Sequence, residues 1–288
     1  MATKDLLETI WRKNMSGACI LCGSNHFEPL FGGKDWHLYR CRGCGLVRTE
    51  AKSFLSYRNY HRDQEYQEFE SQFRNIFLKR FHLVKKFVDF GRILDIGCST
   101  GTLLSLFKKD GWEVWGIEPS QSASLAEKRG IIVKKTTFEK VDLPQNYFDV
   151  VILNHTLEHL ANPLEVVRKV KSVLKKGGLV LIDVPNFGGF SARILRSRWP
   201  YLAPNEHTYQ FTQDSLKKIL KKAGFKYLFS ESRSGIFDYG KPLAEILGSL
   251  LSLKKRFFAD TLGLPGALIA TVLNQGSSLS MIGKKAVK

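Results

Sequence analysis

Two groups of residues in this 288-residue chain have the types and spacing to do chemistry. The first is a set of thiols in two pairs, Cys19-Ile-Leu-Cys22 and Cys41-Arg-Gly-Cys44, with 18 residues between the pairs. Two such knuckles can hold four thiolates at the corners of a tetrahedron around zinc. Gly23 and Gly45 follow the pairs and suit the knuckle turn, and "HFEPLFGGKDWHLYRC" reads as a hairpin turning near Gly32-Gly33. Four sulfurs leave no open coordination position, so the metal is expected to fold a segment of about forty residues that lacks a core of its own. The second group begins at "ILDIGCSTG", residues 93–101. Apolar residues run through Asp95, then come Gly97, Cys98 and Gly101, and a helical stretch follows; strand, glycine loop and helix together grip a nucleotide-like ligand.

The next strand, Glu113 to Ile117, ends at Glu118. An acidic residue there, about twenty residues past the loop, is placed to accept hydrogen bonds from two ribose hydroxyls. The loop reads Asp-x-Gly-x-Ser-x-Gly rather than GxGxxG, which lessens the case for a pyrophosphate. Cys98 reads as a small buried filler, because no base accompanies it.

Groups that could move a proton come later. In "HTLEHL" the spacing i, i+3, i+4 sets His155, Glu158 and His159 near one helical face, and "EHTYQFT" supplies His207 and Tyr209. Three readings stand for them: His207 or His155 as a general base, a divalent metal held by His155, Glu158, His159 and His207, or a short packed helix to which Glu158 and His159 belong structurally. The HxxEH string also matches an inverted zincin, but its place directly after a central strand argues against protease chemistry.

These residues need elements to position them, and the composition allows such a scaffold. Apolar residues make up 43% of the chain and charged residues 25%, a globular balance. The start, "MATKDLLETIWRKNMSG", lacks an apolar run of signal-peptide length, so a cytoplasmic location is expected and disulfides are a poor alternative for the thiols. Forty-four Lys and Arg against 27 Asp and Glu give a net charge of +17, which concentrates anions such as RNA, an anionic membrane or a phosphorylated small substrate.

Residues from about 92 to 185 resemble a class I S-adenosylmethionine-dependent methyltransferase. "ILDIGCSTG" is similar to the family's first motif and "VWGIEPS" to its second. "TFEKVDLPQNYFDVVILNHTLEHLANP" resembles the third and fourth, and "VLKKGGLVLIDVPN" the segment of the fifth strand. The resemblance implies a Rossmann-like, doubly wound α/β sheet of about seven strands, the last antiparallel, behind a small N-terminal zinc ribbon. It implies that Asp95, Gly97, Cys98 and Gly101 border the methionine part of S-adenosylmethionine, Glu118 the ribose and Phe138 the adenine. Asn154 and His155 would face the sulfonium and the acceptor. A cysteine-knuckle module before such a domain, with "EHTYQFT" followed by a helix, is similar to a group associated with sugar, polysaccharide and natural-product methylation. The domain boundaries expected are 1–50 for the ribbon, 51–90 for an aromatic-rich helical connector or lid with Tyr57 and Tyr60, and 91–288 for the methyltransferase with a helical insert near 240–275. The acceptor expected is a hydroxyl or carbon of a sugar, carried on a nucleotide or lipid diphosphate or belonging to a polysaccharide or glycosylated metabolite. The rival readings are an RNA methyltransferase, which would use the ribbon and the basic surface, and a non-catalytic binder with a vestigial cofactor site. The insert's amphipathic, basic-ended stretch leaves peripheral membrane contact open.

Overall fold

A computed structural model describes residues 17–54, 70–239 and 265–286. Two sheets organise them. The larger has seven strands in the order β10-β11-β8-β7-β4-β5-β6. Its members are β4 (Arg92–Ile96), β5 (Glu113–Ile117), β6 (Ile132–Lys134), β7 (Phe148–Asn154), β8 (Leu174–Pro185), β10 (Phe225–Arg233) and β11 (Ser278–Lys285). Strands β4 to β8 pair in parallel, and β11 alone runs against its neighbours β8 and β10. The central strands are apolar on both faces because helices cover both faces: Ile93, Leu94, Val150, Val151, Ile152 and Leu153 have no exposed surface. The chain leaves β4 toward β5 on one side and returns to β7 on the other, so a crevice forms at the carboxyl ends of β4 and β7, where such sheets bind ligands.

Helices α1 (Glu70–Lys85), α2 (Thr102–Lys109), α3 (Ala123–Lys128) and α4 (Pro163–Val173) connect or cover these strands. Their apolar stripes face the sheet, as with Leu103, Leu104 and Phe107 of α2. Within the connector expected over 51–90, α1 packs Phe81 edge-on to Phe107, ring centroids 5.0 Å apart, and buries Phe77. Tyr57 and Tyr60 lie outside the described residues, as does 240–264 of the expected insert; a helix over 265–272 represents the rest. Among the described residues no helix is long and apolar enough to cross a membrane.

The second sheet is antiparallel, in the order β1 (Phe27–Gly32), β2 (Trp36–Cys41), β3 (Val47–Ala51) and β9 (Tyr209–Gln210). Its first three strands are the cysteine module, with the hairpin turning after Gly32 as its glycines predict. The fourth comes from the far end of the chain. The Thr49 N–H donates to the Thr208 carbonyl at 2.9 Å, and Lys218 Nζ donates to the Cys44 carbonyl at 2.7 Å from α6 (Gln213–Lys222). Cys19, Leu21 and Leu46 share one core with Leu153, Leu157 and Ile219. The module is therefore built into the large domain by a shared sheet and a shared core.

Candidate active site

The glycine loop owes its shape to local conformations that few residues tolerate. Gly97 has φ 79°, Ser99 φ 46° and Gly101 φ 75°. A Cβ on Gly101 would meet Ile131 Cδ1 at 2.3 Å and Ala126 Cβ at 2.9 Å, so glycine is required twice over, by backbone and by space. Cys98 fills the slot against Gly116, where a Cβ would come within 2.5 Å of its sulfur. It is buried, its thiol pushed up by that burial and by the charges of Asp95 and Glu118, which fits a filler rather than a nucleophile.

Glu118 is the organiser of this loop. Its Oε2 accepts the Ser99 N–H and its Oε1 the Ser120 N–H, each at 2.9 Å, and each oxygen keeps a second lone pair for a ribose hydroxyl. Asp95 is 3% exposed, and its Oδ1 accepts no hydrogen bond. Burial, and then the charge of Glu118, push the Asp95 carboxyl up to about 8. Asn154 Oδ1, at the end of β7, is likewise buried without a partner. Two orphaned acceptors near the carboxyl ends of β4 and β7, beside the glycine loop, fit a ligand that brings hydrogen-bond donors and positive charge, as the α-ammonium end of S-adenosylmethionine does. Phe138 sits deeper, 2% exposed, packed in the core with Lys169 Nζ 5.0 Å from its ring centroid.

Beyond Asn154 the chain turns sharply at His155, whose φ is 50°. The His155 N–H donates to the Asp183 carbonyl at 2.8 Å and Thr156 Oγ1 to the Ile96 carbonyl at 2.9 Å, which ties the ends of β7, β8 and β4 together. The turn places Leu157–His159 in one 3-10 turn rather than on an α-helical face. His155 then bridges two buried carboxylates: Nδ1 lies 3.4 Å from Glu158 Oε1 and Nε2 3.3 Å from Asp183 Oδ1. Burial works to lower its pKa, but the close contact with Glu158 and the charges of Asp183 and Glu158 outweigh that and raise it. Burial likewise opposes ionisation of Glu158, yet His155, His159 and His207 together hold its pKa down at about 2.

His207 arrives from the loop after β8. A turn returns the His207 N–H to the Ala203 carbonyl at 2.8 Å and sets its ring edge-on to His159, centroids 4.8 Å apart. Glu158, His159 and His207 each present a ligand atom within 4.8 Å of the others. Neither Glu158 oxygen accepts a hydrogen bond, although the side chain is 1% exposed. His159 Nδ1 lies 3.0 Å from the Glu206 carbonyl; a proton donated there sets the tautomer in which Nε2 is the acceptor atom. Two imidazoles and one carboxylate with open positions can hold a divalent cation, or can accept a proton. The structure thus brings together three of the four residues weighed for a metal, with His155 turned toward Asp183. Tyr209 is 4% exposed, and its hydroxyl donates to the Ala161 carbonyl at 3.2 Å.

Asp183 and Arg80 are site residues that the sequence did not single out. Asp183 accepts from Arg80 Nη2 at 3.0 Å and from Ser278 Oγ at 3.2 Å, with Ser280 Oγ on its other oxygen. Arg80, 1% exposed, continues to Asp238 at 2.7 Å. A lone acid inside the apolar run "LVLIDVP" was the available signal for Asp183; Arg80, on an amphipathic helix, gave none.

The four thiols form a separate cluster. Cys19 and Cys44 sulfurs are 3.5 Å apart, Cys22 and Cys41 sulfurs 3.4 Å, and all four lie within 4.8 Å of one another. A zinc tetrahedron with bonds of about 2.3 Å has edges of about 3.8 Å, so the set fits that ion closely. Gly23 and Gly45, at φ 78° and 80°, return their N–H groups to the Cys19 and Cys41 carbonyls. Burial opposes ionisation of Cys41, but backbone amides at Cys44 and Gly43 and neighbouring thiols bring it to about 7.

A family model described as a methyltransferase domain matches residues 61–229. An uncharacterised protein of Methanocaldococcus jannaschii is 26% identical over 164 residues, 57% of this chain and 78% of that one. A ubiquinone biosynthesis O-methyltransferase of a Bradyrhizobium species is 32% identical over 142 residues, 45% of this chain. The chain spans 56% of that enzyme's length. Phosphoethanolamine N-methyltransferase 2 of Haemonchus contortus, solved with phosphomonomethylethanolamine and S-adenosylhomocysteine, shares the fold with a TM-score of 0.57 at 19% identity, over 84% of this chain and 62% of that one.

Proposed function

Since this chain belongs to the methyltransferase-domain family, we propose that it transfers the methyl group of S-adenosylmethionine to a hydroxyl of a small, phosphate-bearing sugar or glycan. The observation that carries the reading is the opposition, across the ends of β4 and β7, of two unlike groups. One is the orphaned pair Asp95 and Asn154, and the other is the Glu158–His159–His207 cluster. Asp95 and Glu118 would anchor the cofactor at its amino acid and ribose ends. The sulfonium methyl would then lie near Asn154, and the acceptor would enter past His207. Displacement at a sulfonium is in line, so the protein's task is to align the two reactants, exclude water and take up the hydroxyl proton. An imidazole of the cluster, on His159 or His207, would take that proton. The match to O-methyltransferases of ubiquinone biosynthesis supports an oxygen acceptor, and the net charge of +17 supports an anionic one.

A second reading of the same cluster is favoured by Glu158. Its buried, ionised carboxylate has no close hydrogen bond and the His155 imidazole, at 3.4 Å, as its nearest opposing charge, so a metal cation there would further offset the cost of its burial. A divalent ion on Glu158, His159 and His207 would orient an acceptor diol and acidify its hydroxyl. The four thiols support structural zinc in the ribbon.

The test is incubation of the protein with methyl-labelled S-adenosylmethionine and a cell extract, then fractionation with and without ribonuclease. Label in ribonuclease-resistant small or glycan material is expected. Label released by ribonuclease would replace the reading with an RNA methyltransferase, and absence of both transfer and cofactor binding would make the protein a non-catalytic binder.

A further inference from the structure

A cleft of about 350 Å³ lies between the cysteine module and the segment that follows β8, outside the site described above. Its module side carries Phe31 and Arg40; its other side carries Phe187, Gly188, Arg193 and Arg196. Arg193 belongs to α5 (Phe190–Leu195), and Arg196 follows at once with φ 50°, a left-handed conformation that an arginine adopts at a cost. That turn lays the Arg196 guanidinium over the Phe31 ring, 5.3 Å from its centroid. Among the described residues no carboxylate pairs with Arg193 or Arg196, and the nearest to Arg40 is Glu28, at 3.8 Å. Three arginines therefore line one concave space from two sides, and two of them, Arg193 and Arg196, have no carboxylate partner among the described residues, while Arg40 has only the long contact to Glu28.

We infer that this cleft binds a diphosphate group, the anionic end of the acceptor. Guanidinium forks match phosphate oxygens in pairs, and two linked phosphates would let arginines on opposite walls each engage one. The volume is that of a small-molecule pocket, room for a diphosphate and its first substituent rather than a polymer strand. The wall follows directly on the strand that ends the site. Phe187 is four residues beyond Asp183, whose carboxylate lies against His155, so their Cα atoms are no more than roughly 14 Å apart. The Phe187 N–H donates to the Phe211 carbonyl, which fixes that wall to the strand bearing Tyr209, two residues past His207. The proposal rests on the methyltransferase reading for what the far end of the ligand does, but the cleft can be tested alone.

The experiment is calorimetric titration of the full chain with inorganic pyrophosphate, uridine diphosphate and farnesyl diphosphate, each with S-adenosylhomocysteine as a parallel ligand. Pyrophosphate is expected to bind. Arg196→Ala is expected to weaken it about tenfold, the scale of one charge-assisted hydrogen bond, and the Arg193→Ala, Arg196→Ala pair further still. S-adenosylhomocysteine affinity should stay unchanged in these variants, which also reports that they are folded. Tighter binding of uridine diphosphate than of pyrophosphate identifies a nucleotide carrier, and tighter binding of farnesyl diphosphate a lipid carrier. Failure of all three to bind the unaltered protein overturns the proposal, as does equal binding by the double variant, or binding of an RNA oligonucleotide in their place. If S-adenosylhomocysteine itself does not bind, the methyltransferase reading fails while the diphosphate titrations still decide the cleft.

Discussion

Asp95 is the residue whose chemistry changes most when a cofactor arrives. Its carboxyl is raised to about 8, so the empty protein keeps it protonated across neutral pH. A raised carboxylate stabilises the fold while protonated, and that contribution is lost as pH rises through 8. The α-ammonium and sulfonium of S-adenosylmethionine would reverse the balance by favouring the ionised form. Binding at pH 7 is therefore expected to release close to one proton, and affinity to fall as pH drops below 8. Calorimetry in buffers of different ionisation enthalpy checks this; proton uptake, or the same proton release from the Asp95→Asn variant, would remove Asp95 from the cofactor site. The same scale carries a second expectation. Glu158→Gln takes away one of the two carboxylates that raise His155, so the His155 pKa should move down, as read from its imidazole proton shifts across pH. At this scale the sequence was informative wherever a residue's type alone restricts its chemistry. Asp95, Glu118 and the thiols were legible because an acid at a strand end or a paired CxxC has few other uses.

The elements add what spacing could not show. Strands β4, β5 and β7 were readable because parallel strands buried on both faces appear as unbroken apolar runs. β9 was not, since a two-residue strand exists only through the partner it finds in β3, some 160 positions away. That pairing changes what the cysteine module is expected to do. It holds the strand next to His207, so stripping its metal should expose the amides of 17–51 and 209–210 to hydrogen exchange together. The glycine loop shares an apolar core with the module but makes its hydrogen bonds to Ile117 and Glu118, so S-adenosylhomocysteine affinity should fall far less than the module's protection does. Exchange confined to the module would mean that β9 is held by the large domain alone. The Arg80–Asp183 pair was illegible for a related reason: 103 positions separate two residues that each read as ordinary until folded. With Arg80 1% exposed and Asp183 fully buried, Asp183→Asn leaves Arg80 with Asp238 as its remaining carboxylate. A loss of about 1–3 kcal/mol is expected, visible as a lowered Tm, together with a displaced His155.

Over the whole molecule the excess of 17 positive charges acts at a distance that no single contact explains. Exposed lysines such as Lys221 and Lys226 do not line the arginine cleft, so their effect on an anionic acceptor is through the summed field, which raises encounter rates more than it stabilises the bound state. Such a field is screened over about 8–10 Å at 0.10–0.15 M salt. Arginines inside the cleft beside Phe187 act at contact distance and are screened much less. Two consequences separate these contributions. Raising salt from low to moderate ionic strength should lower kcat/KM for the labelled acceptor severalfold through KM, while kcat, which the proposed function assigns to alignment at Asn154 and the Glu158–His159–His207 cluster, should stay level. S-adenosylhomocysteine carries no net charge, so its affinity should hardly move over the same range. Steady-state kinetics on the acceptor isolated by methyl labelling, at several salt concentrations, make the comparison directly. A kcat/KM independent of salt would mean that the acceptor is uncharged, and the phosphate would then have to be dropped from its description even if the methyl transfer stands.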